Sequence, residues 1–144
     1  MNISVGVTIA AQPATVWKVI EPVERHVDWM RDARAISFLS STTRGVGTTF
    51  DCKTQIGPFR LNDRMTITEW EPERSMGIEH RGLVTGQGRF RLQGFGDRTR
   101  FTWTEQLQFP WWLGGRVGAL AAKPVLRHVW RRNLRTLAAL VEGT

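Results

Sequence analysis

The chain of 144 residues carries 20 Lys and Arg against 13 Asp and Glu, a net charge of +7, with seven Trp, seven Phe, no Tyr and a single cysteine. One cysteine excludes an internal disulfide, and Cys and His at ligand spacings are too few for a structural zinc site, so we predict no metal and no cofactor. The alternating N-terminus is unlike a signal peptide and no stretch reaches membrane-spanning length, so we expect one soluble, cytoplasmic domain over residues 1–144.

The positive charge fits nucleic acid or an anionic membrane surface as a partner. Arginine supplies 17 of the 20 cations and is scattered over nearly every predicted element, which favours a solvated surface over a focused patch. Nucleic-acid binding is disfavoured because no platform of stacking aromatic rings accompanies the basic residues. Large rings without hydroxyl groups suit a roomy, apolar interior.

The predicted elements begin with a strand and two short helices. Apolar residues alternate from residue 3 to residue 9, which predicts a strand with one buried face. Pro13 begins a helix that Pro22 ends, and a second short helix follows over residues 23–30. Within it His26 and Asp28 are two residues apart and do not face each other, so we expect capping or surface roles for both.

From residue 33 to residue 109 the apolar period is two, which predicts six further strands joined by short turns. The predicted strands cover residues 33–39, 48–55, 59–71, 76–81, 84–92 and 101–109. Short turns favour pairing of neighbours, so the strands form a curling meander with the first strand closing one edge. A doubly wound α/β fold is disfavoured because helices do not alternate with strands.

The last predicted element is an amphipathic helix over residues 124–141, with Pro124 in its first turn and Gly143 just past its end. Its polar arc carries Arg127, His128, Arg131, Arg132 and Arg135. Asn133 projects near the middle of the apolar arc, where an amide needs a partner or water. We therefore expect this helix to face a space rather than a solid core.

Four stretches carry a family resemblance: TIAAQPATVWKVIEPVERHVDWM, GVGTTF, WEPERSM and RNLRTLAALV. They resemble the helix-grip superfamily of START-domain and birch-pollen-allergen-like proteins (SRPBCC), and within it the bacterial polyketide cyclase/dehydrase-like branch. The resemblance implies an α+β fold of order βααββββββα, in which a curved seven-stranded antiparallel sheet, two short helices and a long C-terminal helix enclose an apolar cavity. It also implies a lipid, polyketide, sterol or similar hydrophobic ligand, but it transfers no catalytic residue.

The inward faces of the strands and the last helix supply the predicted cavity wall. Its predicted residues are Phe50, Cys52, Asp63, Met65, Ile78, His80, Phe90, Trp103, Glu105, Trp130, Asn133 and Leu137. An apolar lining with sparse polar groups is typical of a ligand pocket. Cys52 is expected to act as a small hydrophobic residue, because no base or oxyanion donor for a nucleophile can be named.

His80 and Glu105 are the candidate catalytic residues. Pairing the hairpins by their turns sets His80 opposite Gly86 and Gly86 opposite Glu105, so histidine and carboxylate stand two strands apart, about 9.5 Å, across a glycine. Such a pair can perform acid/base chemistry such as dehydration or enolisation. Equally, the two can hydrogen-bond each other or water in a polar corner of the core.

Trp111 and Trp112 lie in a predicted loop that joins the sheet to the last helix, flanked by Pro110 and by Gly114 and Gly115. In the resembled fold this connection lies near the cavity rim. The two rings can therefore gate entry, insert into a bilayer interface, or cap the core.

Three functions follow from these patterns. The first is binding or transport of a hydrophobic small molecule in the internal cavity. The second is an enzyme of the cyclase or dehydratase type that uses His80 and Glu105, with Asn133 or Asp63 orienting a carbonyl. The third is a lipid carrier at a membrane surface that uses Trp111, Trp112 and the arginines of the last helix.

Overall fold

The computed structural model describes residues 1–144 and contains one antiparallel sheet of seven strands in the order β1-β7-β6-β5-β4-β3-β2. The elements in chain order are β1 Asn2–Ile9, α1 Pro13–Ile20, a 3₁₀ helix Val23–Asp28, β2 Ala33–Phe38, β3 Thr49–Ile56, β4 Phe59–Glu71, β5 Ser75–Arg81, β6 Thr85–Phe95, β7 Arg98–Gln108, a 3₁₀ turn Trp111–Leu113 and α2 Gly115–Glu142. The predicted α+β class and the order of strands and helices are confirmed.

The sheet is a meander whose first strand returns to its last. Each strand from β2 to β7 pairs with the next in the chain, and β1 pairs with β7 along its whole length. Strict alternation explains why one face is buried: Phe101, Trp103, Glu105 and Leu107 of β7 are buried, while exposed or half-buried residues separate them. This inner face lies towards α2.

Helix α2 begins at Gly115, nine residues before Pro124, so the predicted start at Pro124 is wrong. The residues before the proline include the strongly helix-forming run ALAAK, which extends the helix towards the sheet. Pro124 costs a backbone hydrogen bond inside the helix but lies exposed, where its ring meets solvent. The predicted end holds, because α2 stops at Glu142 and the Gly143 N–H donates to the Ala139 carbonyl at 3.1 Å.

Aromatic rings fill one part of the space between α2 and the sheet. The fully buried Trp29 packs edge-on against Phe101 and Trp103 at centroid distances of 6.4 and 6.1 Å. Trp103 in turn stacks on Trp130 of α2 at 4.9 Å with an interplanar angle of 21°. Offset stacks and edge-to-face pairs are the favoured geometries of aromatic rings, so this part of the interior is solid.

Helix α2 faces a cavity as expected, through Leu126 and Trp130, but Asn133 does not line it and instead anchors α2 to the chain before β2. Its Oδ1 accepts a hydrogen bond from the Arg31 N–H at 3.1 Å, and its Nδ2 donates to Asp32 Oδ1 at 2.6 Å. A buried amide requires partners, and this one finds them in a loop rather than in a ligand. Leu137, also predicted in the cavity wall, is fully buried in the apolar core. Both residues lie outside the cavity wall described below.

None of the helices combines the length and the apolar character that crossing a bilayer requires.

Candidate functional site

A cavity of about 160 Å³ lies between the inner face of the sheet and α2. Of the 26 residues that line it, 18 are hydrophobic. Ten of the twelve predicted wall residues contribute to it: Phe50, Cys52, Asp63, Met65, Ile78, His80, Phe90, Trp103, Glu105 and Trp130. The period-2 pattern of the strands therefore locates most of the wall.

The cavity extends to the end of the sheet where the β3–β4 and β5–β6 turns and the last residues of β7 meet. Ile56, Val84 and Phe109 line the cavity there and are only half-buried, as is Leu126 on α2. Antiparallel pairing brings these three chain positions to the same end of the sheet. We call this part of the wall, formed by Ile56, Val84, Phe109 and Leu126, the half-buried end of the cavity.

Trp111 and Trp112 come shortly after the cavity-lining Phe109 in the chain, and their rings do not cap the core. Their exposed fractions are 86% and 58%, and neither ring lines the cavity. The 3₁₀ turn that carries them is joined to α2 through Gly114 and Gly115, whose φ angles of 89° and 51° suit glycine. The two tryptophans thus lie on the surface, two and three residues after the cavity-lining Phe109.

His80 and Glu105 are hydrogen-bonded in the cavity wall, with His80 Nε2 donating to Glu105 Oε2 at 2.8 Å. The other carboxylate oxygen, Oε1, accepts a hydrogen bond from the Trp103 indole N–H at 2.9 Å. Glu105 is only 3% exposed, so both of its oxygens are satisfied by the protein. The ring atom Nδ1 of His80 makes no hydrogen bond within the protein.

The predicted register of this pair is half correct. His80 lies opposite Gly86 as expected, but Glu105 lies opposite Gly88 rather than Gly86. A shift of two residues keeps Glu105 on the inner face, because side chains alternate with a period of two. Gly88 also makes the contact feasible, since a Cβ at that position would collide with the carboxylate of Glu105.

Two opposing effects act on the pKa of His80. Burial disfavours the imidazolium and lowers the pKa, whereas the hydrogen bond and charge of Glu105, together with the charge of Asp63, raise it. The effect of Glu105 and Asp63 is stronger than that of burial, so the pKa of His80 lies above its ordinary value of 6.5. The pair's contribution to stability is therefore fully present below pH 6.5 and is lost as the pH rises through the folded-state pKa.

Asp63 is another acidic group of the cavity wall. It is 8% exposed, makes no side-chain hydrogen bond, and leaves its buried Oδ1 without a partner. Burial raises the pKa of this carboxyl, the charge of His80 lowers it and that of Glu105 raises it further, with a net upward shift.

Cys52 lines the cavity as a buried thiol. Burial raises its pKa to about 11, which keeps the sulfur protonated at neutral pH and unsuited to nucleophilic attack.

His26 and Asp32 line the cavity, although the sequence pattern did not indicate either. Of the two expected roles of His26, the surface role is wrong and the capping role is confirmed: the buried ring donates through Nε2 to the carbonyl of Ile20, the last residue of α1, at 2.7 Å, and burial lowers its pKa to about 4. The missed signal is a 3₁₀ period, in which every third residue shares a face, because Val23, His26 and Trp29 are buried together. Asp28 remains at the surface, paired with Arg25 at 2.9 Å.

No group of three or more His, Cys, Asp or Glu side chains is arranged to hold a metal ion.

A curved antiparallel sheet that holds a long C-terminal helix over an internal cavity defines the SRPBCC-type, helix-grip class of protein. Residues 1–142 match the family model described as polyketide cyclase/dehydrase and lipid transport. The chain belongs to this family. No curated protein is significantly similar to it in sequence.

Solved structures with the same fold come from several bacteria. A protein of Thermus thermophilus superposes with a TM-score of 0.82 at 14% identity, covering 98% of this chain and 97% of that one. A conserved protein of Geobacillus kaustophilus gives 0.78 at 14% identity, covering 98% and 95%. The Zhui aromatase/cyclase of a Streptomyces species gives 0.72 at 18% identity, covering 99% and 92%. At these identities the likeness establishes the fold.

Replacement of Glu105 by Gln is expected to lower the pKa of His80, because burial then acts with less opposition from a neighbouring charge. Imidazole resonances followed by NMR over a pH series measure this change directly. Glu79→Gln is the matched control, since Glu79 adjoins His80 but projects from the opposite face of the sheet. An unchanged or raised His80 pKa in Glu105→Gln would contradict the assigned coupling.

Proposed function

We propose that this protein binds a compact hydrophobic molecule in the cavity beneath α2. The observation that carries this proposal is the cavity itself, about 160 Å³ with a mainly hydrophobic lining and a half-buried end. Water gains few hydrogen bonds in an apolar cavity, so free energy is released when an apolar molecule fills it. The family description, which names polyketide chemistry and lipid transport, supports the same ligand class.

The volume limits the size of the ligand. An engineered apolar cavity of roughly 150 Å³ in another protein accepts benzene, whereas pockets for drug-sized molecules begin at about 300 Å³. A cavity of about 160 Å³ thus suits one ring or two small fused rings. A long acyl or polyketide chain requires the cavity to widen, and the glycines at 114, 115 and 118 place the adaptable backbone beside the half-buried end.

Filling part of the cavity is expected to weaken binding. In the Val84→Trp variant the indole occupies space at the half-buried end, so the affinity for indane, a bicyclic hydrocarbon, should fall at least about tenfold, or about 1.4 kcal/mol. Isothermal titration calorimetry and ligand-observed NMR measure this affinity. The control is Val46→Trp, which adds the same ring at an exposed loop position. Absence of indane binding to the unmodified protein would refute the proposed function.

A second candidate function is acid/base catalysis on the bound molecule, as in a cyclase or dehydratase. The observation that favours it is the hydrogen-bonded His80–Glu105 pair in the cavity wall, with His80 Nδ1 free of protein partners. In this role Glu105 orients the imidazole, and Nδ1 takes a proton from the carbon next to a carbonyl or gives one to a departing hydroxyl. The likeness in fold to an aromatase/cyclase supports the candidate.

Exchange of the acidic C–H protons of 1-indanone for deuterium provides a test that needs no knowledge of the natural substrate. We expect the protein to accelerate exchange over buffer, with a rate that rises with pH as His80 becomes neutral. His80→Gln should lower the acceleration by about 10²-fold or more, whereas His128→Gln, an exposed histidine of α2, should not. NMR in D₂O follows the exchange. Equal rates in the protein and in His80→Gln would eliminate this candidate.

An anionic membrane surface is the macromolecular partner that we propose. The tryptophan face, defined as Trp111, Trp112, Leu113, Val117 and Leu120, is exposed beside the half-buried end of the cavity. At 100° per residue, Val117 and Leu120 share the outer side of α2 with Arg127, Arg131 and Arg135. An apolar segment continued by cations is the pattern that inserts into an interface while binding acidic headgroups. Such docking would place the cavity end against the lipid.

The double variant Trp111→Ala, Trp112→Ala is expected to weaken sedimentation with vesicles of phosphatidylcholine and phosphatidylglycerol several-fold, because two interfacial rings are lost. Raising the salt concentration should weaken it further. Phe95→Ala is the control, since Phe95 is an exposed ring at the end of β6, paired with the first residue of β7 and roughly 30 Å from the tryptophans. If the unmodified protein fails to sediment with these vesicles at low salt, the membrane proposal is wrong.

A further inference from the structure

The cavity contains one acidic side chain that the protein leaves without a partner. Asp63 projects from β4 into the wall, is only 8% exposed, and makes no side-chain hydrogen bond. Glu105 on the same wall differs, because His80 and Trp103 donate to its two oxygens. A buried polar group that stays unpaired costs free energy, and native proteins rarely tolerate one without a use for it.

The surrounding chain makes room for this carboxyl group but offers it no donor. Gly82 lies against it, and a Cβ at that position would collide with Asp63 Oδ1. On β3 the paired residue is Cys52, whose thiol is in contact with Thr54 instead. Arg89 is among the lining residues, but its guanidinium is paired with Glu69, on the outer face of the sheet. The cationic group that acts on Asp63, His80, is hydrogen-bonded to Glu105.

The charges in the wall discriminate between ligands. Asp32, Asp63 and Glu105 supply three acidic groups; of the two imidazoles, buried His26 has its pKa lowered to about 4 and stays neutral, which leaves His80 as the one that carries charge. A ligand carboxylate placed here would face like charges in a poorly solvated space, which is strongly unfavourable. A ligand N–H or O–H would instead satisfy the free oxygen of Asp63.

We propose that Asp63 is the polar recognition group of the cavity, and that its ligand is a compact, mainly apolar molecule with one hydrogen-bond donor, an amine or a hydroxyl group, and without a carboxylate. This inference rests on the proposed ligand-binding function. It excludes free fatty acids as ligands and narrows the hydrophobic ligand class to alcohols, phenols and amines.

The test uses three ligands built on one bicyclic frame, 2-aminoindane, 2-indanol and indane-2-carboxylate, with indane as the reference. We expect the amine and the alcohol to bind at least about tenfold more tightly than the carboxylate, because only they donate to Asp63. Asp63→Asn removes the negative charge and adds an amide donor. The affinity for the amine should therefore fall and the affinity for the carboxylate should rise, until the carboxylate binds more tightly than the amine. Titration calorimetry measures all four affinities.

Asp51→Asn is the matched control, because Asp51 lies on the neighbouring strand β3 but pairs with Arg64 at the surface. An amine that binds more tightly than the alcohol indicates pairing with an ionised Asp63, and equal affinities indicate a neutral hydrogen bond; both support the inference. Equal binding of amine, alcohol and carboxylate to the unmodified protein overturns it, and so does an unchanged order in Asp63→Asn. If Asp63→Asn does not fold, the relative affinities of the ligands for the unmodified protein are sufficient to test the inference.

The two proposals fail in different ways. If indane binds and the donor group makes no difference, the role of Asp63 is overturned while the cavity keeps its function. If neither indane nor any of its derivatives binds, the ligand-binding function itself is refuted.

Discussion

The two hydrogen bonds of Asn133 hold α2 across the inner face of the sheet at the level where β2 begins. These hydrogen bonds fix the distance between α2 and the sheet near the start of β2. The stack of Trp103 on Trp130 fixes the same distance in the interior. The cavity of about 160 Å³ lies between these supports and the hairpin ends. We attribute the cavity to this support of the helix, because protein interiors are otherwise close-packed with few voids larger than a water molecule.

Glycine determines which polar groups can occupy that interval. Gly88 accommodates the carboxylate of Glu105 and Gly82 that of Asp63, because a Cβ at either position would collide with the acid. The first acid is fully paired and the second is not. One wall therefore combines a hydrogen-bonded dyad, suited to orienting an imidazole, with an unsatisfied group, suited to recognising a ligand. Both lie among hydrophobic neighbours that strengthen every electrostatic interaction.

The differences between expectation and structure have local causes. Pro124 was expected to begin α2, but the helix-forming residues before it extend the helix towards the N-terminus. The helix tolerates Pro124 in its interior because the proline ring lies exposed to solvent. His26 was expected in a capping or surface role; a helix of 3.6 residues per turn directs it outward, whereas the three-residue turn of a 3₁₀ helix buries it, where it caps the end of α1. Asn133 was expected to line the cavity, because a sequence does not disclose which loop supplies the partners of a buried amide.

The sequence by itself determined the seven-strand meander, the long C-terminal helix and ten of the residues that line the cavity, because side chains on a strand alternate with a period of two whatever lies opposite. Only the tertiary structure decided that Glu105 reaches His80 across Gly88, that Asp63 has no partner, and that the hollow measures about 160 Å³. Contacts across strands depend on register and on the height of α2, which no local pattern encodes.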